Sequence, residues 1–425
     1  MRQFKLKKIL AVIISAIMLV SLALPAFAED GVTEIKTYED LLKIKDNPTG
    51  SYRLVNDIDC KGQDWLPIDF SGTLDGNGKA IMNLTITKTG ESTRTTIDGN
   101  WKEYDTHFAG LFCVMENATV ANLTLLGVNV DVALDDNTYV GTIAGYMADG
   151  TIESCTVEGT AKLTSSCKSF GVGGILGYGK GRINSCTADV TLICIDTDKE
   201  WKDEQFMGGA YANGYPDVTN CTINIKGYDS DHGYVHDGGI GGMYILPHSE
   251  KYAGHVDNNK VTGFISFFED NTNRRAYCVG DIGEIMNWTL TKNGNDITGF
   301  ERRETKDYSK DLLPNMCENA EYDQSVTAPT ETEYGYTTYK CKTCDYSYKA
   351  DYTSLNVYAE PETETEEPKK GGETPAEHQG LPVIVKVIIA VVASLILIVI
   401  ILNVVNRVRR NIRRKKRYEA RHGHR

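Results

Sequence analysis

The sequence predicts an all-β fold, a parallel β-helix, and three observations predict it. The first is a phrase written repeatedly. Val140-Gly-Thr-Ile-Ala-Gly-Tyr followed by Gly150-Thr-Ile-Glu-Ser-Cys-Thr-Val returns as Val172-Gly-Gly-Ile-Leu-Gly-Tyr followed by Gly181-Arg-Ile-Asn-Ser-Cys-Thr-Ala. Looser copies place Leu84, Leu123, Cys155, Cys186, Cys221 and Asn259 at equivalent positions, in steps of 39, 32, 31, 35 and 38 residues. Units of that size cannot bury an apolar face alone and must stack on their neighbours. The second is that each copy alternates apolar with polar residues at a period of two, is rich in Val, Ile and Thr, and is broken by Gly. The third is that no copy carries a helical stripe of ten or more residues, which disfavours the helical solenoids. Turns of two or three strands stacked about 4.8 Å apart remain.

Tyr52-Arg-Leu-Val-Asn-Asp-Ile-Asp, Trp65-Leu-Pro-Ile, Phe70-Ser-Gly-Thr-Leu-Asp-Gly-Asn-Gly and Ile81-Met-Asn-Leu open the repeat. With the later Gly-Gly-Ile-Leu-Gly-Tyr and Asn/Ser-Cys-Thr phrases, they resemble the GLUG-type β-helices of bacterial surface adhesins and of the N-terminal regions of IgA-cleaving metalloproteases. The resemblance covers residues 33–265 and implies a right-handed helix and a place on the cell surface. It does not bring protease activity, because no His-Glu-x-x-His occurs in the chain.

Residues 1–28 join a basic start (Arg2, Lys5, Lys7, Lys8) to an apolar run and Ala26-Phe-Ala28, the pattern of a secretory signal peptide. The β-helix ectodomain is expected over 29–313. Thr37-Tyr-Glu-Asp40 is a capping box leading into Leu41, Leu42 and Ile44, so a short helix should cover the raw end of the solenoid. Residues 87–107 read as an exposed loop. Trp101 and Tyr104 on it could stack on a sugar or pin the loop to the scaffold.

The chain has 11 cysteines. Cys155, Cys186 and Cys221 share one ladder position, where side chains about 4.8 Å apart are too distant for a disulfide, so they should be buried thiols. Asn83, Asn122, Ser154, Ser185, Asn220 and Asn258 precede the ladder position and are expected to form a polar side-chain ladder at a corner.

Further on, the polarity becomes dense. Asp229, Asp231, His232, His236 and Asp237 fall within ten residues, and Glu269, Asp270, Arg274 and Arg275 follow one repeat later. Stacked turns that brought both segments to one face would make a ligand site. Carboxylate oxygens would suit Ca²⁺ and guanidinium groups a sugar acid. The same set could serve acid–base chemistry in a polysaccharide lyase or glycoside hydrolase. Asp, Ser, Asn and Gly are also what tight turns require.

Residues 314–358 resemble a small Cys-rich repeat of bacterial surface proteins, through Thr327-Ala-Pro-Thr and Cys341-Lys-Thr-Cys344. Two positions of its usual pattern hold Glu331 and Asn319, so Cys317, Cys341 and Cys344 fall short of a four-ligand Zn²⁺ site, and a β-rich spacer is expected. Residues 359–380 are mostly Glu, Pro, Thr, Lys and Gly with almost no apolar side chain, a disordered acidic stalk. Residues 381–405 are long and apolar enough to cross a bilayer, and the basic tail 406–425 should hold the C-terminus in the cytoplasm.

Between the signal and the span, 30 basic residues face 57 acidic ones, a net charge near −27 that argues against nucleic-acid partners. The expected protein is a monomeric, single-pass bacterial surface protein that presents its β-helix to an extracellular glycan or protein, with no cofactor unless Ca²⁺. A tethered lyase or hydrolase and a passive envelope spacer are the alternatives.

Overall fold

The computed structural model describes residues 31–97, 102–197, 204–229, 234–244, 254–268, 277–282, 291–305, 320–343 and 346–356. All of these belong to one compact unit spanning residues 1–358. The expected signal peptide, stalk, membrane span and basic tail lie outside the described residues. Among the described residues no helix is long and apolar enough to cross a membrane.

The fold is all-β and repeat-like, with long ladders of parallel strands. One rung shows the plan: Thr138–Gly141, a bend, Ala144–Glu153, a corner, and Thr156–Ser165. The next rung repeats it as Ser169–Gly173, Leu176–Asn184 and Thr187–Asp196. The two lie in register, with Val140 over Val172, Ile152 over Ile183 and Val157 over Ala188. The period-two alternation sends these side chains inward, where all are buried. Each buried Val or Ile contributes about 1.5–3 kcal/mol only when a neighbouring rung covers it.

The bend needs glycine. A Cβ on Gly173 would stand 1.9 Å from the Leu176 carbonyl oxygen, and one on Gly208 would stand 2.0 Å from that of Tyr211. The corner needs a left-handed residue. Asn83, Asn122, Ser154, Ser185, Asn220 and Asn258 all have φ between 54° and 59°, a region that Asn tolerates better than most residues. In that conformation each donates its backbone N–H to a carbonyl on the following rung at 2.8–3.1 Å, from Asn83 to Leu126 through Asn258 to Asn293. The expected side-chain ladder is therefore corrected: the corner is held by backbone, and the Asn amides reach other partners, such as Asp59 for Asn83 and Asp75 for Asn122.

The residue after each corner points into the core. Leu84, Leu123, Cys155, Cys186, Cys221 and Asn259 are all buried. The three thiols are free, and each donates to the carbonyl two residues earlier at 3.3 Å. Asn259 takes the thiol's place with a fuller set of bonds, donating to Val218 and Asn295 and accepting from the Cys221 N–H. Asn295 repeats the role by donating to Val256 at 2.7 Å. Further along, Asp296–Thr305 adds another parallel strand alongside Lys260–Phe268.

At the other end, Thr37 caps the helix Tyr38–Leu42 by accepting from Asp40 N–H at 3.2 Å, and a 3₁₀ turn follows over Lys43–Asp46. Leu41 and Ile44 join the core with Tyr52 and Leu54. A strand the sequence did not announce, Val32–Ile35, pairs parallel with Ser51–Leu54 ahead of this cover.

Residues 87–107 are not simply a loop. Arg94–Ile97 and Glu103–Ala109 form an antiparallel hairpin, joined by Thr96 and Thr106 hydroxyls 2.8 Å apart and tied to the rungs by an Arg94–Glu116 ion pair at 2.7 Å. Polar composition hid its β-branched alternation. Tyr104 lies in the hairpin, half-buried; Trp101 lies outside the described residues.

Tyr322–Thr327, Gly335–Cys341 and Ser347–Thr353 form a three-stranded antiparallel sheet. It is no spacer beyond the last rung. It packs back on the first ones: Tyr352 is buried with Ala80, Met82 and Leu126, and the Asn83 amide brackets the Tyr352 backbone at 2.8 and 3.0 Å. Tyr334 donates to Asp57, Lys61 pairs with Asp351 and Lys349 pairs with Glu158.

Candidate functional site

The nine residues singled out in the sequence do not form a described surface site. Asp231, His232, Glu269, Asp270, Arg274 and Arg275 lie outside the described residues. Asp229, His236 and Asp237 are described, and they are 4%, 5% and 0% exposed.

Strand register explains where these three go. His236 pairs with Phe206, which follows Gly171, Tyr139 and Phe108 on successive strands of one column. The His236 and Phe206 rings stack with centroids 5.0 Å apart. They belong to an aromatic layer distinct from the main core, in which Phe108, Tyr139, Tyr178 and Phe206 pack together. Burial there lowers the His236 pKa to about 4, so the ring is neutral at physiological pH.

Asp237 occupies the column of Val140, Val172 and Met207. Asp229 ends the strand Thr222–Asp229 and accepts from the Gln205 amide at 2.6 Å, both groups being buried. The arrangement supports internal hydrogen bonding. It does not offer these carboxylates to a polymer outside. Among the described residues, no group of three or more His, Cys, Asp and Glu side chains could hold a metal ion.

A different place has the shape of a site. A cleft of about 390 Å³ opens where the antiparallel sheet meets the outer face of the strands around Thr124–Ala133 and Thr156–Ser165. Tyr322, Tyr346 and Tyr348 wall one side. Tyr348 stacks on Tyr339 with centroids 5.0 Å apart and on Tyr346 at 5.7 Å, while Tyr322 lies nearly perpendicular to it with centroids 5.5 Å apart.

The floor is small and polar: Thr85, Gly127, Asn129, Gly159 and Thr160. The register slips between Leu126 and Val128, and Gly127 takes up the irregularity with φ 64°, a value that favours glycine. One end is closed by the Lys61–Asp351 ion pair, and Asp351 also accepts from the Tyr339 hydroxyl. The Lys61 bond, followed by the Tyr339 bond, holds the Asp351 carboxyl below the usual carboxylate range. The reciprocal bond from Asp351 pushes the Tyr339 phenol up to about 12.

Sequence reasoning passed over this cleft. The signal that could have found it is tyrosine density, with Tyr322, Tyr334, Tyr336, Tyr339, Tyr346, Tyr348 and Tyr352 inside one short module. A second recess of about 310 Å³ is lined by Asp149, Lys180, Arg182, Tyr215, Asp217 and Tyr244. Two of its charges are paired with each other, Lys180 and Asp149 at 2.7 Å.

No family model matches the chain. It is similar to halomucin of Haloquadratum walsbyi (strain DSM 16790 / HBSQ001), at 35% identity over 139 residues. The match takes in 28% of this chain and 1% of halomucin, so the chain spans only a small part of that relative's length.

Proposed function

We propose that the chain is a bacterial surface protein whose parallel strands close into a right-handed β-helix, held outside the cell by a C-terminal membrane anchor, and that it recognises an extracellular glycan or protein. The observation that carries this reading is the tyrosine-walled, polar-floored cleft between the antiparallel module and the first rungs. Its volume falls within the range of small-ligand sites, about 300–1,000 Å³. The repeated rungs provide a rigid backing for it, as binding sites require.

The lyase or hydrolase alternative is less well supported, because Asp229, His236 and Asp237 are buried among aromatic and apolar side chains. A passive spacer would not need a cleft.

The test is retention of the purified full chain on an array of polysaccharides and glycoproteins, with and without EDTA. Specific retention that survives EDTA and is weakened by Asn129→Ala supports the cleft. Retention that requires Ca²⁺ and is indifferent to Asn129→Ala would move the site to positions 269–275. No retention on any surface would sink the recognition reading in favour of the spacer.

A further inference from the structure

We infer that the cleft takes an uncharged carbohydrate, presenting pyranose rings to the tyrosines and hydroxyls to the floor; the inference rests on the recognition reading above. The charges bordering the cleft are already matched. Lys61 pairs with Asp351 at 2.5 Å and Lys349 with Glu158 at 2.7 Å, and Asp351 accepts a further bond from Tyr339. Lys349 also lies over the Tyr336 ring, 4.6 Å from its centroid. An anionic ligand would have to share a cation already neutralised by its carboxylate partner, and would meet a strongly acidic chain as it approached. A neutral ligand disturbs none of them.

The remaining lining suits a polyol. Asn129 is exposed, and its carboxamide has no protein partner among the described residues. That group offers both donors and an acceptor, which is what a sugar hydroxyl needs. The Thr85 hydroxyl lies on the same floor, while Thr160 bonds to Tyr346. Tyrosine rings supply flat apolar area at low conformational cost, matched to the C–H faces of a pyranose. A purely apolar ligand would leave the polar floor unsatisfied, and a purely polar one would waste the rings.

The experiment is calorimetric titration of the full chain with soluble gluco-, manno- and xylo-oligosaccharides, and with oligogalacturonate as the charged comparison, at two salt concentrations. One neutral series is expected to bind. Its affinity should be nearly independent of salt and fall about three- to tenfold in Asn129→Ala, the loss of one or two hydrogen bonds. In Tyr322→Ala it should fall at least as far. Asn129 is exposed, so its variant should melt with the wild type and separates a lost ligand from a lost fold.

Binding unaffected by both variants would overturn the assignment of the cleft. Binding of oligogalacturonate alone, lost in Asn129→Ala, would overturn the uncharged class and leave the recognition reading standing. Retention on a glycoprotein that survives enzymatic deglycosylation would overturn carbohydrate and point to a protein partner. No binding to any oligosaccharide or glycoprotein would overturn the inference and the reading together.

Discussion

The tyrosine cleft and the buried cluster around His236 are made from overlapping residue types, yet one opens to solvent and the other is sealed. In the cleft, aromatic rings and ion pairs lie on the outer face of the strands, where a second sheet approaches without closing over them. Around His236, the same ring-on-ring contact is buried in a packed layer, and Asp237 stands in a column with Ala109, Val140, Val172 and Met207. Residue type therefore does not locate a site on a stacked-strand scaffold. Strand parity and what covers the outer face decide it.

A substitution at the buried carboxylate separates the two regions directly. Asp229→Ala strands the buried Gln205 amide and should cost about 3 kcal/mol, read as a lower urea midpoint. Ligand retention by the fraction still folded should not change. Retention lost in proportion to exposure of the cleft would break the separation.

Acid should distinguish the regions by window. The folded pKa of His236, about 4, lies below the ordinary histidine value of about 6.5. Its contribution is therefore complete above pH 6.5 and is lost as pH falls towards 4, up to about 3 kcal/mol. His236→Phe should flatten that slope. The Asp351 carboxyl is held low by Lys61, so the bond closing the cleft should persist through this window and weaken only below the ordinary Asp range of about 4. Hydrogen exchange followed by pH can compare Tyr234–Gly241 with Ser347–Thr353.

Asn83→Gly perturbs the cleft's side alone. Glycine keeps the left-handed corner but gives up both bonds to Tyr352. A loss of about 1–2 kcal/mol is expected, with faster exchange confined to the antiparallel module. Equal acceleration around His236 would show the two regions to be one cooperative unit.

The smallest effect concerns the thiols. Burial pushes Cys60 and Cys113 up to about 12, and Cys186 is raised by its neighbour Cys155. Among the described cysteines, half-buried Cys167 should react first with a thiol reagent, and Cys155, Cys186 and Cys221 only on unfolding.

Much of the ladder was legible because its causes are local. Gly173 and Gly208 must be glycine, and Ser154 and Asn220 must turn left-handed, so the period shows in the letters. The corner residues were recognised for a side-chain reason when the backbone conformation is the stronger one. Asn295 escaped notice although Asn259 did not, because an amide does at both positions what a thiol does at Cys221, and a reader following cysteines loses the thread there. The cleft was legible only in one wall, as a run of tyrosines. Lys61 and Asp351 are 290 residues apart, and no local preference in either stretch encodes their meeting.

That meeting also fixes a load path. The strand Val32–Ile35 lies in the first rungs, and the antiparallel module is clamped to Asp57, Lys61, Asn83 and Glu158. A pull applied between that strand and that module would pass through the clamp and the opening strands, leaving the rungs beyond Ser165 slack. The weakest mechanical element would be a patch of side-chain contacts in shear, and the long parallel ladder would be spared until that patch gave way.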